Sequence, residues 1–554
     1  MIPDRSQLGV LDRFFSLFTK LRPGEGRSVF LLFWLGFIFM FGQWILKPIR
    51  DALILSEADA ELAAYGNAAQ AILLMVIIPL YGVVYRHVSK TRLVQLVTIF
   101  FIATLLIFYF IYESGRLMHF PFYIWVGIYG TMLIAQFWAL AADHFNVKTG
   151  QRLFGLLVAG VALGALVGPL TVSMFTESIG HGGMMLLVAG SLVITLFLIG
   201  PGVNAIPEGS RSTGARDDDQ KKSSVFGGFV TVLKDHYLTL IAAWVVLQNI
   251  IDSTGDYILN TYIIQHATYL VSTGGSDLSL GAQIGVIKAN FYFVQNLVAL
   301  LLALLVVSHI IRILEIKRSI LVVPSLMIIG YGAIALAPVI VFIPIFSIVW
   351  LVKIMEKGSN YSLNNAIRGA LFLPTSQSAK YEGKTTIDTF FWRFGDVLSA
   401  GIIFVALKWL SLGVTQIALF VMALAGVMLW IARVLGGRYK HLAATNVTNE
   451  PPRVVRSIPT AEVTAGMAFE HPIHPGTFED PDPGEVLVLS ATLADGAPLP
   501  SWVIFEPTRL RFHGTAPAEF MEEIVIQVTA SDVDGACVSD TFIIRHIRRT
   551  GQAD

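Results

Sequence analysis

The chain has 554 residues, of which 55 % are apolar and 14 % charged, and its mean hydropathy is +0.67. A soluble protein carries about 25 % charged residues, so composition excludes an ordinary soluble enzyme, a disordered chain and a collagen. The net charge of zero is a sum of opposites: residues 1–449 carry 32 basic and 23 acidic side chains, whereas 450–554 carry 7 arginines, no lysine and 16 acids.

One cysteine, Cys537, excludes an intrachain disulfide framework and a cysteine-built metal cluster. The segment 1–28 holds Arg5, Arg13, Lys20, Arg22 and Arg27 and has no small-residue cleavage site, so it reads as a cytoplasmic lead-in rather than a signal peptide. Twelve apolar runs follow, each near the ~20 residues that a helix needs to cross a bilayer. They are 29–46, 62–84, 93–112, 120–141, 153–175, 183–201, 237–256, 282–307, 320–337, 339–356, 386–407 and 413–432. Counted over the connections, 26 basic residues fall on one side and four on the other, namely Lys47, Arg50, Arg116 and Lys408. The positive-inside rule then puts both termini in the cytoplasm of an inner membrane protein.

The polar stretch 202–236 separates a first half, 29–201, from a second, 237–440. Both halves have charge late in their first run and a basic connection after their fourth. Six plus six spans about a central linker is the pattern of a secondary transporter with repeated halves.

Charge inside a span is costly and so marks a cavity or a partner. The first run ends in Lys47, Pro48, Arg50 and Asp51, with Lys47 and Asp51 on one helix face and Pro48 expected to break the helix. In the seventh run Gln248, Asp252 and Asp256 recur every fourth residue. The eighth holds Lys288, Asn290, Gln295 and Asn296 beside Tyr292. Lys353, Arg368, Arg393 and Asp396 lie in or near later runs. Asp256 and Arg393 are expected to line a central cavity. Lys and Arg at such depth suit phosphate oxygens, and Tyr257, Tyr292 or Trp392 could stack on a base. Gly160, Gly164 and Gly168 make a small-residue face for close helix packing. Gly383-Lys384-Thr385 imitates a phosphate loop but lacks its first glycine, since position 378 is serine. No catalytic dyad or nucleic-acid motif stands out, so the chain is expected to be no enzyme.

Two stretches carry a family resemblance. One is Phe137-Trp138-Ala139-Leu140-Ala141-Ala142-Asp143-His144-Phe145, then Arg152-Leu153-Phe154-Gly155. The other runs from Tyr361-Ser362-Leu363 through Arg368, Leu373-Pro374, Lys380-Tyr381-Glu382-Gly383-Lys384 and Ile387-Asp388 to Arg393-Phe394-Gly395-Asp396. With Arg50-Asp51, they resemble the ATP/ADP translocase (nucleotide transporter) family of plastids and intracellular bacteria. The resemblance implies twelve helices in a major-facilitator-like arrangement and nucleotide exchange across a lipid membrane. Substrate-binding candidates are then Lys47, Arg50, Asp51, Asp256, Lys288, Asn290, Lys353, Arg368, Arg393 and Asp396. The alternatives are transport of another phosphorylated organic anion, or a transporter-derived sensor or adhesion protein.

After a linker at 441–456, residues 457–548 change character. Short alternating runs (486–489, 510–512, 524–528, 542–544) are separated by Asp495-Gly496, Asp534-Gly535 and prolines. This is a β-sandwich pattern, with a core expected around Trp502. The string Thr477-Phe478-Glu479-Asp480-Pro481-Asp482, with Leu499-Pro500-Ser501-Trp502 and Gly514-Thr515, resembles a cadherin-like, dystroglycan-type or immunoglobulin-like module. Such modules often bind calcium, here through Glu479, Asp480, Asp482, Asp532 and Asp534, or a protein partner. No cofactor is expected in the membrane part.

Overall fold

The structure is a computed structural model that describes residues 9–57, 59–85, 88–116, 118–207, 210, 225–339, 342–376, 379–445, 450–481, 486–519, 523–532 and 535–547. It divides into two compact units, residues 1–441 and 442–554.

The first unit is helical: α1 Val10–Phe15, α2 Glu25–Glu57, α3 Ala60–Tyr85, α4 Lys90–Glu113, α5 His119–His144, α6 Val147–Asn204, α7 Val225–Lys234, α8 His236–Ser272, α9 Leu280–Leu301, α10 Val307–Ser319, α11 Val322–Leu336, α12 Ile345–Ser359, α13 Asn365–Leu371, α14 Lys384–Thr386, α15 Trp392–Phe404 and α16 Val414–Thr445. Among the described residues ten helices are long and apolar enough to cross a membrane. Two local devices reconcile ten helices with twelve apolar runs. The stretch α6 folds back at Gly180, whose φ of 64° and ψ of −178° lie in a region open essentially to glycine, and so holds runs five and six. The tenth run continues from α12 into α13 through a π-helical turn at Asn360–Asn364.

Two expectations are corrected here. Pro48 does not break α2, which runs unbroken to Glu57. The tenth span begins at Ile345 after Pro344 and extends through the polar stretch to Leu371, not over 339–356. Pro338 and Pro344 supply no backbone N–H, so the helix starts beyond them.

Helix α2 packs along α6, and the glycine face is why. A Cβ at Gly160 would sit 2.5 Å from the Phe33 carbonyl oxygen, and one at Gly168 would sit 2.8 Å from that of Phe41. A Cβ at Gly164 would strike the Phe37 carbonyl oxygen. The halves meet where α2 and α6 contact α9, and where α3 contacts α8 and α15. At the N-terminal end of α2, Arg152 grips Glu25 bidentately at 2.7 and 3.1 Å, and Ser210 donates to the same carboxylate at 2.7 Å. The outward faces are apolar: Phe110, Phe197 and Leu304 are each about two-thirds or more exposed. Water would penalise such a belt, whereas hydrocarbon accepts it.

The second unit holds β1 Arg453–Val454, β2 Ala461–Val463, β3 Ala468–Pro472, β4 Phe478–Glu479, β5 Val488–Leu493, β6 Val503–Glu506, β7 Arg511–Thr515, β8 Ile524–Ser531 and β9 Cys537–His546. One sheet has the order β2-β9-β8-β5 and another β3-β7-β6, with β1 and β4 paired apart. In β8 the alternate residues Ile526, Val528 and Ala530 point inward and are wholly buried. The core centres on Phe512, stacked on Phe505 at 4.5 Å. Trp502 is only half-buried, edge-on to Phe469. The expectation that it centres the core is therefore corrected: it sits just before β6, at the margin.

Candidate functional site

Two charged clusters face each other within the helical unit. The first is built on the last third of α2. Asp51 Oδ1 accepts from Arg50 Nε at 3.1 Å, and its Oδ2 lies 3.3 Å from Lys288 Nζ of α9 and accepts from the Tyr292 hydroxyl. Lys288 also donates to Asn260 Oδ1 of α8 at 2.5 Å. The Arg50 guanidinium lies 4.2 Å from the ring centre of Tyr123 on α5. Lys47 places its ammonium between Trp44 and Tyr292, 4.5 and 4.4 Å from their ring centres. Arg50, Asp51 and Lys288 are all buried.

The second cluster joins α8, α11 and α12. Lys353 Nζ lies 3.5 Å from Asp252 Oδ1, 3.3 Å from Asp256 Oδ1 and 3.0 Å from Glu356 Oε2. Lys357 Nζ bridges Asp252 and Asp256 at 2.9 and 2.8 Å. The Tyr331 hydroxyl donates to Glu356 Oε2 at 2.7 Å. Asp252 and Asp256 are one helical turn apart, as are Lys353 and Lys357, so two short stripes of opposite charge meet face to face.

Beside this cluster lies a cavity of about 290 Å³ with Asp252, Lys357, Tyr361, Asn364, Arg368 and Trp392 among its lining residues. The π-helical turn at Asn360–Asn364 lets Lys357 before it and Arg368 after it reach one space. Arg368 lies 5.1 Å from the Trp392 ring centre, pairs with Asp388 at 3.4 Å and donates to Asn365 Oδ1 at 3.0 Å. Asn364 donates to Gln248 Oε1 on the α8 wall. The cavity therefore offers two cations, amide groups and an indole face. At the other end of the bundle the halves touch: Lys408 lies 2.8 Å from Glu61, and a Cβ at Gly285 would lie 3.2 Å from His181 Nε2.

Of the residues singled out from sequence, Lys47, Arg50, Asp51 and Lys288 meet in the first cluster, and Asp256 and Lys353 in the second. Arg368 stands in the cavity wall. Three others stand apart from these groups. Asn290 is exposed and accepts from Ser173 of α6 at 2.7 Å, away from Lys288. Arg393 is half-buried outside the cavity lining, which takes its neighbour Trp392 instead. Asp396 accepts from Ser253 at 2.8 Å and serves the α8–α15 contact. Asp256 is held by the two lysines, and Asp252 is the carboxylate that reaches the cavity. Sequence reasoning passed over Glu356, Lys357, Tyr331 and Tyr123. The one available signal was Lys357 standing four residues after Lys353.

In the β unit, Glu479 lies 3.9 Å from Arg453, and Asp532 Oδ1 accepts from the Ala536 N–H at 2.8 Å. Asp482 and Asp534 lie outside the described residues. Among the described residues no three His, Cys, Asp or Glu side chains are grouped to hold a metal.

The "Putative Ig domain" family model matches residues 451–546. Over 431 residues, 65 % of this chain and 82 % of the relative, the sequence is 22 % identical to ADP,ATP carrier protein 5 of Rickettsia bellii. It is 21 % identical over 423 residues to ADP,ATP carrier protein 5 of Rickettsia prowazekii, covering 65 % and 82 %. A POT family transporter in complex with 5-aminolevulinic acid aligns with TM-score 0.54 and 17 % identity, over 74 % of this chain and 96 % of that one. The nucleoside transporter NupG aligns with TM-score 0.51 and 11 % identity, over 75 % and 99 %. The chain is thus an integral membrane protein with the twelve-helix fold of major-facilitator-type transporters and a C-terminal immunoglobulin-like unit, and its membrane part is similar to ADP,ATP carriers.

Proposed function

We propose that the membrane part is a secondary transporter of nucleotides of the ADP and ATP kind, alternately exposing the cavity that its second half lines. The observation that carries the reading is the cavity itself, where Lys357 and Arg368 share one small polar space with Trp392. Two cations suit phosphate oxygens, and arginine can bind them bidentately. An indole face suits a base. The similarity to ADP,ATP carriers supports the same substrate class. The basic bias of the connections supports a cytoplasmic placing of both termini.

A second reading, a smaller phosphorylated anion, draws on the cavity volume of about 290 Å³. That is at the low end of ligand sites, which span roughly 300–1,000 Å³. The test is uptake of radiolabelled ADP, adenosine and a sugar phosphate into proteoliposomes holding the purified full chain. Uptake of ADP above both others is the expected result. Preference for the sugar phosphate selects the second reading, and preference for adenosine removes both.

A further inference from the structure

Glu356 lies among the ion pairs of the second cluster, yet its environment differs from that of the aspartates. It is 3 % exposed, and its Oε1 has no hydrogen-bond partner among the described residues. Among the described residues the cation within 4 Å of it is Lys353, itself wholly buried, and that ammonium is shared with Asp252 and Asp256. Lys357 gives its direct ion pairs to the aspartates and acts on Glu356 only from farther off. Three carboxylates thus compete for one buried ammonium, and the deepest keeps a bare oxygen. The groups facing Glu356 are Lys353 and Lys357 from its own helix, Asp252 and Asp256 from α8, and Tyr331 from α11. On α9, Lys288 is engaged by Asp51. A buried carboxylate with incomplete pairing is costly, and the usual remedy is uptake of a proton. A metal ion is a poor alternative, because the Lys353 ammonium already occupies the space between the three carboxylates.

We propose that Glu356 is a proton-binding site whose protonation is coupled to loading of an anion at Lys357. A proton from water on the open side bonds to Oε1, converting the carboxylate to a carboxylic acid, and no other bond changes. Lys353 then has only Asp252 and Asp256 to neutralise. That loosens the hold of the aspartates on Lys357, which lines the cavity and is freed for the substrate anion. Proton and anion consequently favour each other and move together. The coupling rests on the transport reading above, whereas the proton site does not.

The experiment has two arms, both on the full-length protein. In the first, infrared difference spectra are recorded against pH in detergent without ligand. The carboxylic-acid carbonyl band that grows as pH falls is expected to hold a component that is missing from Glu356→Gln and that titrates at a displaced pH in Tyr331→Phe, which lacks the hydroxyl donated to Glu356. Absence of any difference between the bands of the unmodified protein and Glu356→Gln, or an unchanged midpoint of that component in Tyr331→Phe, overturns the site. In the second arm, proteoliposomes take up radiolabelled ADP with or without an acid-outside gradient. The gradient is expected to raise uptake about tenfold, a typical strength for coupled sites, and to have no effect on Glu356→Gln. Uptake indifferent to the gradient overturns the coupling. Failure to take up ADP under any condition removes the nucleotide reading, and the infrared arm still decides the proton site.

Discussion

Lys288, on the second helix of the C-terminal half, lies 3.3 Å from Asp51, on the first long helix of the N-terminal half. Both side chains are over 90 % buried. One buried ion pair therefore ties the halves that must move against each other in a transporter. Breaking such a pair from one side leaves an uncompensated charge and costs about 3–5 kcal/mol, whereas removing both partners costs far less. Asp51→Asn is expected to lower the thermal unfolding temperature in detergent, and Asp51→Asn with Lys288→Met to recover part of it, the rest being the charge of Arg50 left without its carboxylate. Additive losses in that double-mutant cycle would show that the two residues do not act as a pair.

The cavity makes a prediction about charge. Removing Arg368 as Gln should cost about 1.5–3 kcal/mol of ADP binding, the strength of a hydrogen bond to a charged group. Equilibrium dialysis should show that loss as a roughly tenfold or larger rise in Kd for ADP, with little change for adenosine. Equal losses for both would mean that Arg368 does not read phosphate.

Gly164 tests the close approach of α2 and α6. A side chain there meets the Phe37 carbonyl oxygen, which is backbone and cannot swing aside. Overpacking of this kind costs about 1–3 kcal/mol or more. Gly164→Val should cut the yield of monodisperse protein on size exclusion, while Gly155→Val, with open space around it, should not.

The β unit should unfold by itself. It has its own core about Phe512 and is a compact unit distinct from the helical one. A fragment covering 451–554 is expected to melt cooperatively by circular dichroism. In that fragment Phe512→Ala should cost about 3–5 kcal/mol. A fragment without a cooperative transition would contradict an independent core.

His471 gives that unit a pH dependence. Its ring stacks on Phe542 at 5.1 Å, and burial pushes its pKa below the ordinary 6.5. The unfolded chain then binds the proton more readily than the folded one. The stabilising contribution is complete above pH 6.5 and is lost as pH falls through the lowered folded value. Melting of the 451–554 fragment should fall between neutral and mildly acidic pH, and His471→Gln should flatten that fall.

Much of this architecture was legible in the residues because its causes are local. An apolar run of ~20 residues has to be a helix in a bilayer, where backbone groups can pair only within the segment. Period-two alternation in 524–528 similarly announced a sheet with one buried face. Gly160, Gly164 and Gly168 declared a packing face by spacing alone. Which charges meet was decided by the tertiary structure. Asn290 stands two residues after Lys288, a rotation of about 200° around the helix, and so turns away from the cluster that Lys288 joins. Trp392 displaced Arg393 from the cavity through the same geometry. Glu356 and Lys357 sat at the polar edge of a run that two prolines shift toward the C-terminus, so they read as the start of a connection. In the folded chain that polar stretch is helix inside the bundle. Its charges are there because α8 brings Asp252 and Asp256 across from some hundred residues away. No window of sequence contains that encounter, since the partner of a buried charge is set by which helices touch and not by which residues are neighbours in the chain.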